Sequence, residues 1–222
     1  MRKKLPVILL LLTLFLANLS QAQSNNLFFV FLNTNPDKEQ LGVEKAEQLQ
    51  AAHLQNIDRL AKEGIIRAAG PFEGGGGFLI LNTKDEESAN TILQTDPAIK
   101  ANRFNLEIFP LMLANNDLCG AKEPYEMITY QFVRTIFNLD YFGDLDIWFA
   151  ENRVFMADLN NHNDFVIAQG NFNNYNDGFL ILDVEDARKA ENIIKKHPAV
   201  KEGQINYEIK SLYIAKGTFC KR

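Results

Sequence analysis

The stretch "AAGPFEGGGGFLIL", residues 68 to 81, recurs about 100 residues later as "AQGNFNNYNDGFLIL", residues 168 to 182. The apolar run "FLIL" of the first stretch has an identical copy at residues 179–182. Further matches at the same offset place Asn105 on Asn206 and Cys119 on Cys220. Matches this regular over a long window indicate an internal repeat. We therefore predict two homologous halves, residues 27–114 and a degenerate copy at 125–215, joined by the polar linker 115–124.

The four glycines at 74–77 raise the question of whether this loop cradles a phosphate or only turns a hairpin. Phosphate-binding loops feed a helix N-terminus, whereas these glycines feed the apolar run "FLIL", which is typical of a strand. The second half replaces the glycines with Asn, Asp and Gly residues, which share a tolerance of turn conformations. The repeat therefore favours a hairpin loop.

Each half has the same order of predicted elements. In the first half, strands are predicted near 27–32, 65–69, 78–81 and 104–113, with helices at 43–62 and 85–95. This order, βαββαβ, is that of a ferredoxin-like sheet with both helices on one face. The other face needs cover, and a second half can supply it. The predicted fold is α+β, with two ferredoxin-like repeats packed as an intramolecular dimeric α/β barrel.

The N-terminus reads as a secretory signal peptide. A basic segment at residues 2–4 is followed by an apolar run at 7–16 and by small residues that allow cleavage after Ala22. The apolar run is too short for a membrane span, and no later segment is long enough for one. Cleavage would change the formal charge from −5 to −8, because three basic residues leave. We expect an exported, acidic protein, periplasmic or secreted, that does not bind nucleic acid.

The chain has two cysteines, Cys119 and Cys220, at equivalent places after the last strand of each half. An oxidising compartment favours a disulfide between them. Two equivalent points can meet only near the pseudo-twofold axis of the two halves, and bonding needs Cα atoms within about 7 Å. The sequence leaves both states open, a disulfide and two free thiols.

The first half resembles the YCII-related family of dimeric α/β-barrel proteins. The resemblance covers most of residues 27–113 and rests on "HLQNIDRLAKEGIIRAAGPF" (53–72), an Asp-Pro dipeptide at 96–97 and "EIFPL" (107–111). The second half resembles the family more weakly. The resemblance implies a His and Asp pair in a pocket, proposed as an acid/base site, in proteins of mostly unknown function. Some relatives act as lyase-like enzymes on small cyclic compounds.

His53 and Asp96 are the candidate catalytic residues. His53 lies on the apolar stripe of its helix with Leu49, Ile57 and Leu60, so a core histidine with satisfied ring nitrogens is the alternative. Asp96 before Pro97 could simply end a helix. An acid in the last turn of a helix is electrostatically unfavourable, however, and such choices are more frequent at functional sites. If Asp96 accepts a hydrogen bond from His53, the imidazole becomes a workable general base.

The second half is predicted to lack this pair, with Arg153 at the place of His53 and His197 at the place of Asp96. The three histidines, His53, His162 and His197, have no metal-ligand spacing, and His162 is assigned to a polar turn. No cofactor or metal is therefore predicted.

Two functions remain open. The first is a small-molecule enzyme of lyase or isomerase type that uses His53 and Asp96. The second is a non-catalytic periplasmic binding or envelope-associated protein that kept the fold without the chemistry. In either case the partner is a small-molecule ligand, and the chain is expected to be a monomer with an internal pseudo-dimer.

Overall fold

The computed structural model describes residues 26–114, 118–141, 145–162, 164–172 and 177–220; the predicted signal peptide lies outside this part of the chain. The first half contains β1 (Asn26–Thr34), α1 (Val43–Lys62), β2 (Ile66–Pro71), β3 (Gly77–Thr83), α2 (Glu86–Leu93), α3 (Pro97–Lys100) and β4 (Phe104–Leu113). The second half contains β5 (Met127–Phe137), α4 (Leu145–His162), β6 (Val166–Phe172), β7 (Gly178–Leu182), α5 (Ala187–Ile194), α6 (Pro198–Lys201) and β8 (Ile205–Ala215). The same order of elements thus occurs twice.

The second predicted helix of each half is in fact two helices. The single helix predicted at 85–95 ends at Leu93, and the short α3 begins after Asp96. Pro97 explains the break, because proline cannot continue a helix but suits the first position of a new one. His162 is also corrected, since it lies at the end of α4 and not in a turn. No helix in the described residues is both long and apolar enough to cross a membrane.

The strands form one antiparallel sheet that closes into a barrel. Their order is β2-β3-β1-β4-β6-β7-β5-β8, so each half contributes four adjacent strands. The halves join where Leu111 of β4 pairs with Phe172 of β6. The two outer strands meet through a bridge between Phe72, just after β2, and Leu212 of β8. These seams are equivalent in the two halves, and the predicted α+β barrel of two ferredoxin-like units is confirmed.

The barrel interior is a packed cluster of phenylalanines. Phe29 and Phe132, from the central strands of the two halves, stack with ring centroids 5.8 Å apart. Around them lie other buried aromatic rings: Phe31, Phe72, Phe78, Phe172 and Phe179. Alternate residues of the strands face the helices instead, because successive strand side chains point to opposite faces. In the first half this helix-side layer includes Val30, Leu81 and Leu93.

The glycine-rich loop is the predicted hairpin. It joins β2 to β3, which pair antiparallel. Gly75 and Gly76 have φ of 112° and 74°, conformations that favour glycine. A Cβ atom on Gly76 would clash with the Leu32 carbonyl oxygen, so the loop also needs glycine for its close approach to β1.

A charged pair links the halves inside the barrel. Glu107 of β4 accepts two hydrogen bonds from the guanidinium of Arg134 on β5, at 3.1 and 2.8 Å. The guanidinium carbon of Arg134 lies 4.3 Å from the ring centroid of Phe31. The hydrogen bonds from Arg134 lower the pKa of Glu107, although partial burial acts to raise it. The charge of Arg134 and a hydrogen bond from Asn33 lower this pKa further. Glu107 is therefore an ionised partner for Arg134 at neutral pH.

Candidate functional site

His53 lies in the middle of α1 on the side that faces the sheet. Ile57 and Leu60 continue the same stripe at helical spacing, and His53 and Leu60 are buried. The helix is supported at its C-terminus by Arg59 and Lys62, whose charges suit the helix dipole. The imidazole of His53 packs 5.7 Å, centroid to centroid, from the ring of Phe104 at the start of β4. The helix therefore holds this imidazole against the sheet and away from bulk water.

Asp96 lies before α3 and caps its N-terminus. Its Oδ1 accepts hydrogen bonds from the backbone N–H of Ala98 at 2.8 Å and of Ile99 at 3.2 Å. The prediction that Asp96 occupies the unfavourable C-terminal end of a helix is therefore wrong. Aspartate is among the preferred residues at an N-cap. Its position is explained locally by capping, and any functional role must come from its other oxygen.

The second carboxylate oxygen of Asp96, Oδ2, forms a hydrogen bond with His53. The Oδ2 of Asp96 lies 2.8 Å from the Nδ1 of His53, and the two side chains are only 5 and 9 % exposed. Burial acts to raise the pKa of Asp96, but the hydrogen bond and charge of His53 outweigh it, with help from Ile99 and Asn56, and the pKa lies below its ordinary value. An ionised carboxylate only accepts hydrogen bonds, so Nδ1 carries the hydrogen.

The second ring nitrogen of His53, Nε2, is the chemically available one. None of the described residues forms a hydrogen bond with Nε2. Three side-chain atoms in this part of the chain are completely buried without a hydrogen-bond partner, and Nε2 is not one of them. When the ring is neutral and Nδ1 holds the hydrogen, the lone pair lies on Nε2. This arrangement can accept a proton at Nε2 while the carboxylate of Asp96 faces the resulting positive charge.

The same place in the second half has a different chemistry. His197 caps α6, and its Nδ1 accepts a hydrogen bond from the backbone N–H of Ala199 at 3.1 Å. Its Nε2 lies 2.7 Å from the Oδ1 of Asn152 on α4. Burial lowers the pKa of His197 to about 4. Both ring nitrogens are therefore occupied, and the imidazole is neutral at physiological pH.

The helix partner in the second half is Asn152, which corrects the prediction of Arg153. Leu60 of α1 and Leu159 of α4 are buried leucines near the ends of the two helices, and they differ by 99 positions. The same difference aligns His53 with Asn152. The strands β2 and β6 repeat at an offset of 100, because one residue more lies between Leu159 and β6 than between Leu60 and β2. An offset taken from the strands therefore selects the wrong helix residue.

The two cysteines meet where the ends of the halves come together. The sulfurs of Cys119 and Cys220 lie 2.08 Å apart, and their Cα atoms lie 5.0 Å apart. The neighbouring residues Leu118 and Phe219 form an antiparallel bridge. The backbone N–H of Cys119 also donates to the carbonyl of Thr218 at 3.1 Å. A disulfide thus joins the segment that follows β4 to the segment that follows β8.

Other features of the described residues do not extend the site. No group of three His, Cys, Asp or Glu residues in the described ranges could hold a metal ion. A groove of about 520 Å³ lies beside the start of β1 and is lined by Phe28, Asp85 and Met112 among others. Neither His53 nor Asp96 lines this groove. The helix-side pair and the groove are therefore separate features.

Sequence reasoning missed Asn56. It lies one turn after His53 on α1, and its Nδ2 donates to the Oδ2 of Asp96 at 3.2 Å. Its spacing of three residues from His53 was a signal that the two side chains share a face of the helix. Its contact depends on α3, which the sequence pattern does not separate from α2.

Comparison with protein families places these residues in a known domain. Residues 27–112 match the family model described as YCII-related domain. A comparison with curated proteins finds no match. The matched segment extends from β1 almost to the end of β4 and includes His53, Asn56 and Asp96. The first half of this chain is a YCII-related domain.

Proposed function

We propose that the protein binds a small molecule beside His53 and moves a proton to or from it, as a lyase or isomerase does. The observation that carries the proposal is the hydrogen bond of 2.8 Å between the Nδ1 of His53 and the Oδ2 of Asp96. A carboxylate that fixes the imidazole tautomer in this way is a recurrent feature of acid/base sites.

In this mechanism Asp96 stays ionised and keeps the hydrogen of His53 on Nδ1. The lone pair on Nε2 accepts a proton from the substrate, and the imidazolium that results faces the carboxylate. The proton then returns to another position of the substrate or to the leaving group. General acid/base catalysis of this type contributes about 10²–10⁴-fold to a rate.

The second half serves as structure in this proposal. Neither nitrogen of His197 is available, because Ala199 and Asn152 occupy both. The molecule would therefore have one acid/base site, where a homodimer of two equivalent halves would have two. Once an activity is assigned, we expect His53→Ala and Asp96→Asn to reduce it at least about a hundredfold. Asn152→Ala should reduce it far less.

The second candidate function is that of a non-catalytic binding or envelope-associated protein. The observation that favours it is the burial of the pair, with side chains of His53 and Asp96 only 9 and 5 % exposed. In that case the hydrogen bond between them serves to hold α1 against α3, as Asn152 and His197 hold α4 against α6.

Chemical modification separates the two candidates without a known substrate. Diethyl pyrocarbonate acylates an accessible unprotonated imidazole nitrogen, and peptide mass spectrometry identifies the residue. The catalytic proposal expects the native protein to be modified at His53 and not at His197. Asp96→Asn should slow the modification of His53, because an amide can donate to Nδ1 and move the ring hydrogen to Nε2.

Asp85→Asn is the matched control, because Asp85 caps α2 as Asp96 caps α3. This variant should leave the modification rate of His53 unchanged. If His53 reacts no faster than His197 in the native protein, the pair is sealed from solutes and the non-catalytic function is favoured.

We also propose that the protein is exported after removal of residues 1–22. The bond between Cys119 and Cys220 supports this, since stable disulfides are characteristic of oxidising compartments. N-terminal sequencing of the exported chain should begin at Gln23. Retention of the full-length chain in the cytoplasm would contradict the proposal.

The barrel supports a monomer as the working form. The β4–β6 contact and the bridge between Phe72 and Leu212 close the sheet within one chain, so no strand edge of the barrel needs a partner. Light scattering should give the mass of one chain. A concentration-independent dimer would overturn this part of the proposal.

A further inference from the structure

The carboxylate of Asp96 is surrounded by hydrogen-bond donors. The backbone N–H groups of Ala98 and Ile99 both donate to Oδ1. The Nδ1 of His53 and the Nδ2 of Asn56 both bond Oδ2. An ionised carboxylate has about four acceptor positions, so this set fills it. Asn56 is the one donor of the four that comes from neither the capped helix nor the imidazole.

The direction of the Asn56 amide is set from outside the pair. Its Oδ1 accepts a hydrogen bond from the guanidinium of Arg59 at 2.9 Å. Arg59 is itself held by two bonds to the carboxylate of Glu63, at 2.8 and 3.0 Å. Because a guanidinium can only donate, the amide oxygen must face Arg59 and the amide nitrogen must face Asp96.

Thr95 supports the same orientation. Its hydroxyl lies 2.7 Å from the carbonyl oxygen of Ile92 and 3.2 Å from the Oδ1 of Asn56, and its single hydrogen goes to one of these two acceptors. The hydroxyl oxygen is then an acceptor for Arg59, at 3.3 Å. Arg59 is thus held between Glu63 and Thr95 while it donates to Asn56.

The second half lacks this arrangement, although it keeps the helices. The helix offset of 99 places Phe155 at the position of Asn56. The ring of Phe155 lies 4.6 Å, centroid to centroid, from the imidazole of His197. An apolar contact therefore replaces the amide where the carboxylate is absent, so the amide accompanies the His–Asp pair and is not a requirement of the fold.

We propose that Asn56 is a positioning residue for the His53–Asp96 pair, and that Arg59 determines which way its amide faces. Asn56 adds to the contacts that keep Asp96 ionised, so that the carboxylate keeps the hydrogen of His53 on Nδ1. This inference rests on the proposed function for its purpose, but the contact with Asp96 can be tested without any substrate.

The test is a carboxyl ¹³C NMR titration of Asp96 in the free protein. Hydrogen bonding from Asn56 is one of the effects that hold the pKa of Asp96 below its ordinary value. Asn56→Ala should therefore raise the titration midpoint of Asp96. Gln55→Ala is the matched control, since Gln55 is an exposed neighbour on α1 and should leave the midpoint unchanged.

Arg59→Met provides a second variant at an exposed position, in case Asn56→Ala fails to fold. It frees the amide of Asn56 to turn, and the midpoint of Asp96 should rise, by less than in Asn56→Ala. A merely structural role would lower the melting temperature without moving this midpoint. An unchanged midpoint in a folded Asn56→Ala or Arg59→Met variant would overturn the inference. Failure of His53 to react with diethyl pyrocarbonate would instead count against the proposed function alone.

Discussion

Asn152 and His197 occupy in the second half the places that His53 and Asp96 occupy in the first, but the imidazole lies on the long helix in the first half and at the cap of the short helix in the second. In the first half the helix α1 supplies the imidazole and the cap supplies a carboxylate. In the second half the cap supplies the imidazole and α4 supplies an amide. Both pairs join a long helix to a short one, so the structural link is common to both halves. Only the first pair leaves a ring nitrogen unoccupied by the described residues.

The neutral state of His197 predicts a loss of stability in acid. The folded protein keeps this imidazole unprotonated down to about pH 4, whereas in the unfolded chain its pKa has the ordinary value of 6.5. Since the unfolded state binds more protons in this window, the free energy of unfolding falls as the pH decreases from 6.5 to 4. At about 1.4 kcal/mol per pKa unit, the loss approaches 3 kcal/mol.

Urea denaturation at pH 7 and pH 4 measures this loss. His197→Asn is the comparison, because asparagine also caps a helix and does not titrate. The difference in unfolding free energy between the two pH values should be smaller in this variant. An equal pH dependence in both proteins would show that His197 does not carry it.

The disulfide predicts a redox-dependent stability. Cys119 and Cys220 are separated by 101 positions, so their bond restricts a large loop of the unfolded chain. The chain-entropy model gives about 4–5 kcal/mol for a loop of this size, and measured values are often lower. Reduction with dithiothreitol should therefore lower the urea midpoint. The Cys119→Ser/Cys220→Ser variant should show the lower midpoint with or without the reductant, and an unaffected wild-type midpoint would contradict the account.

The ion pair between Glu107 and Arg134 predicts that removal of the carboxylate alone costs more stability than removal of both charges. Glu107→Gln leaves the guanidinium of Arg134 in a site where its side chain is 12 % exposed, so removal of the carboxylate is costly. We expect the free energy of unfolding to fall by about 2 kcal/mol. This is less than for a fully buried pair, because Glu107 is 38 % exposed. Adding Arg134→Met should recover part of the loss, since a methionine can pack on Phe31 without a charge. A double variant less stable than Glu107→Gln would contradict this explanation.

The sequence predicted the strands and the long helix α1 because their apolar periodicity is set by burial on a sheet. The boundaries of α1, residues 43–62, agree with the structure, since its stripe extends without interruption to the glycine at position 64. The sequence predicts that the dipeptide at 96–97 ends a helix, because the same residues that stop one helix can cap another. Local pattern cannot distinguish these uses without the neighbouring helix.

The resemblance to the YCII-related family indicated the candidate pair, but the residues around the pair were not predicted. Asn56 and Arg59 are ordinary residues of a polar helix surface, and their roles depend on contacts with the segment before α3. Asn152 was missed because the helices and the strands repeat at different offsets. Arg134 was missed because it contacts Glu107 across the two halves. Each of these contacts joins elements far apart in the chain.

The most direct test of the account is the tautomer of the His53 and His197 rings, measured by ¹⁵N NMR of the native protein at a pH where both of these rings are neutral. The account predicts opposite tautomers in one spectrum. His53 should carry its hydrogen on Nδ1, facing Asp96, and leave Nε2 unprotonated. His197 should carry its hydrogen on Nε2, facing Asn152. A hydrogen on the Nε2 of His53 would contradict the account, because no lone pair would then be available for the proposed chemistry.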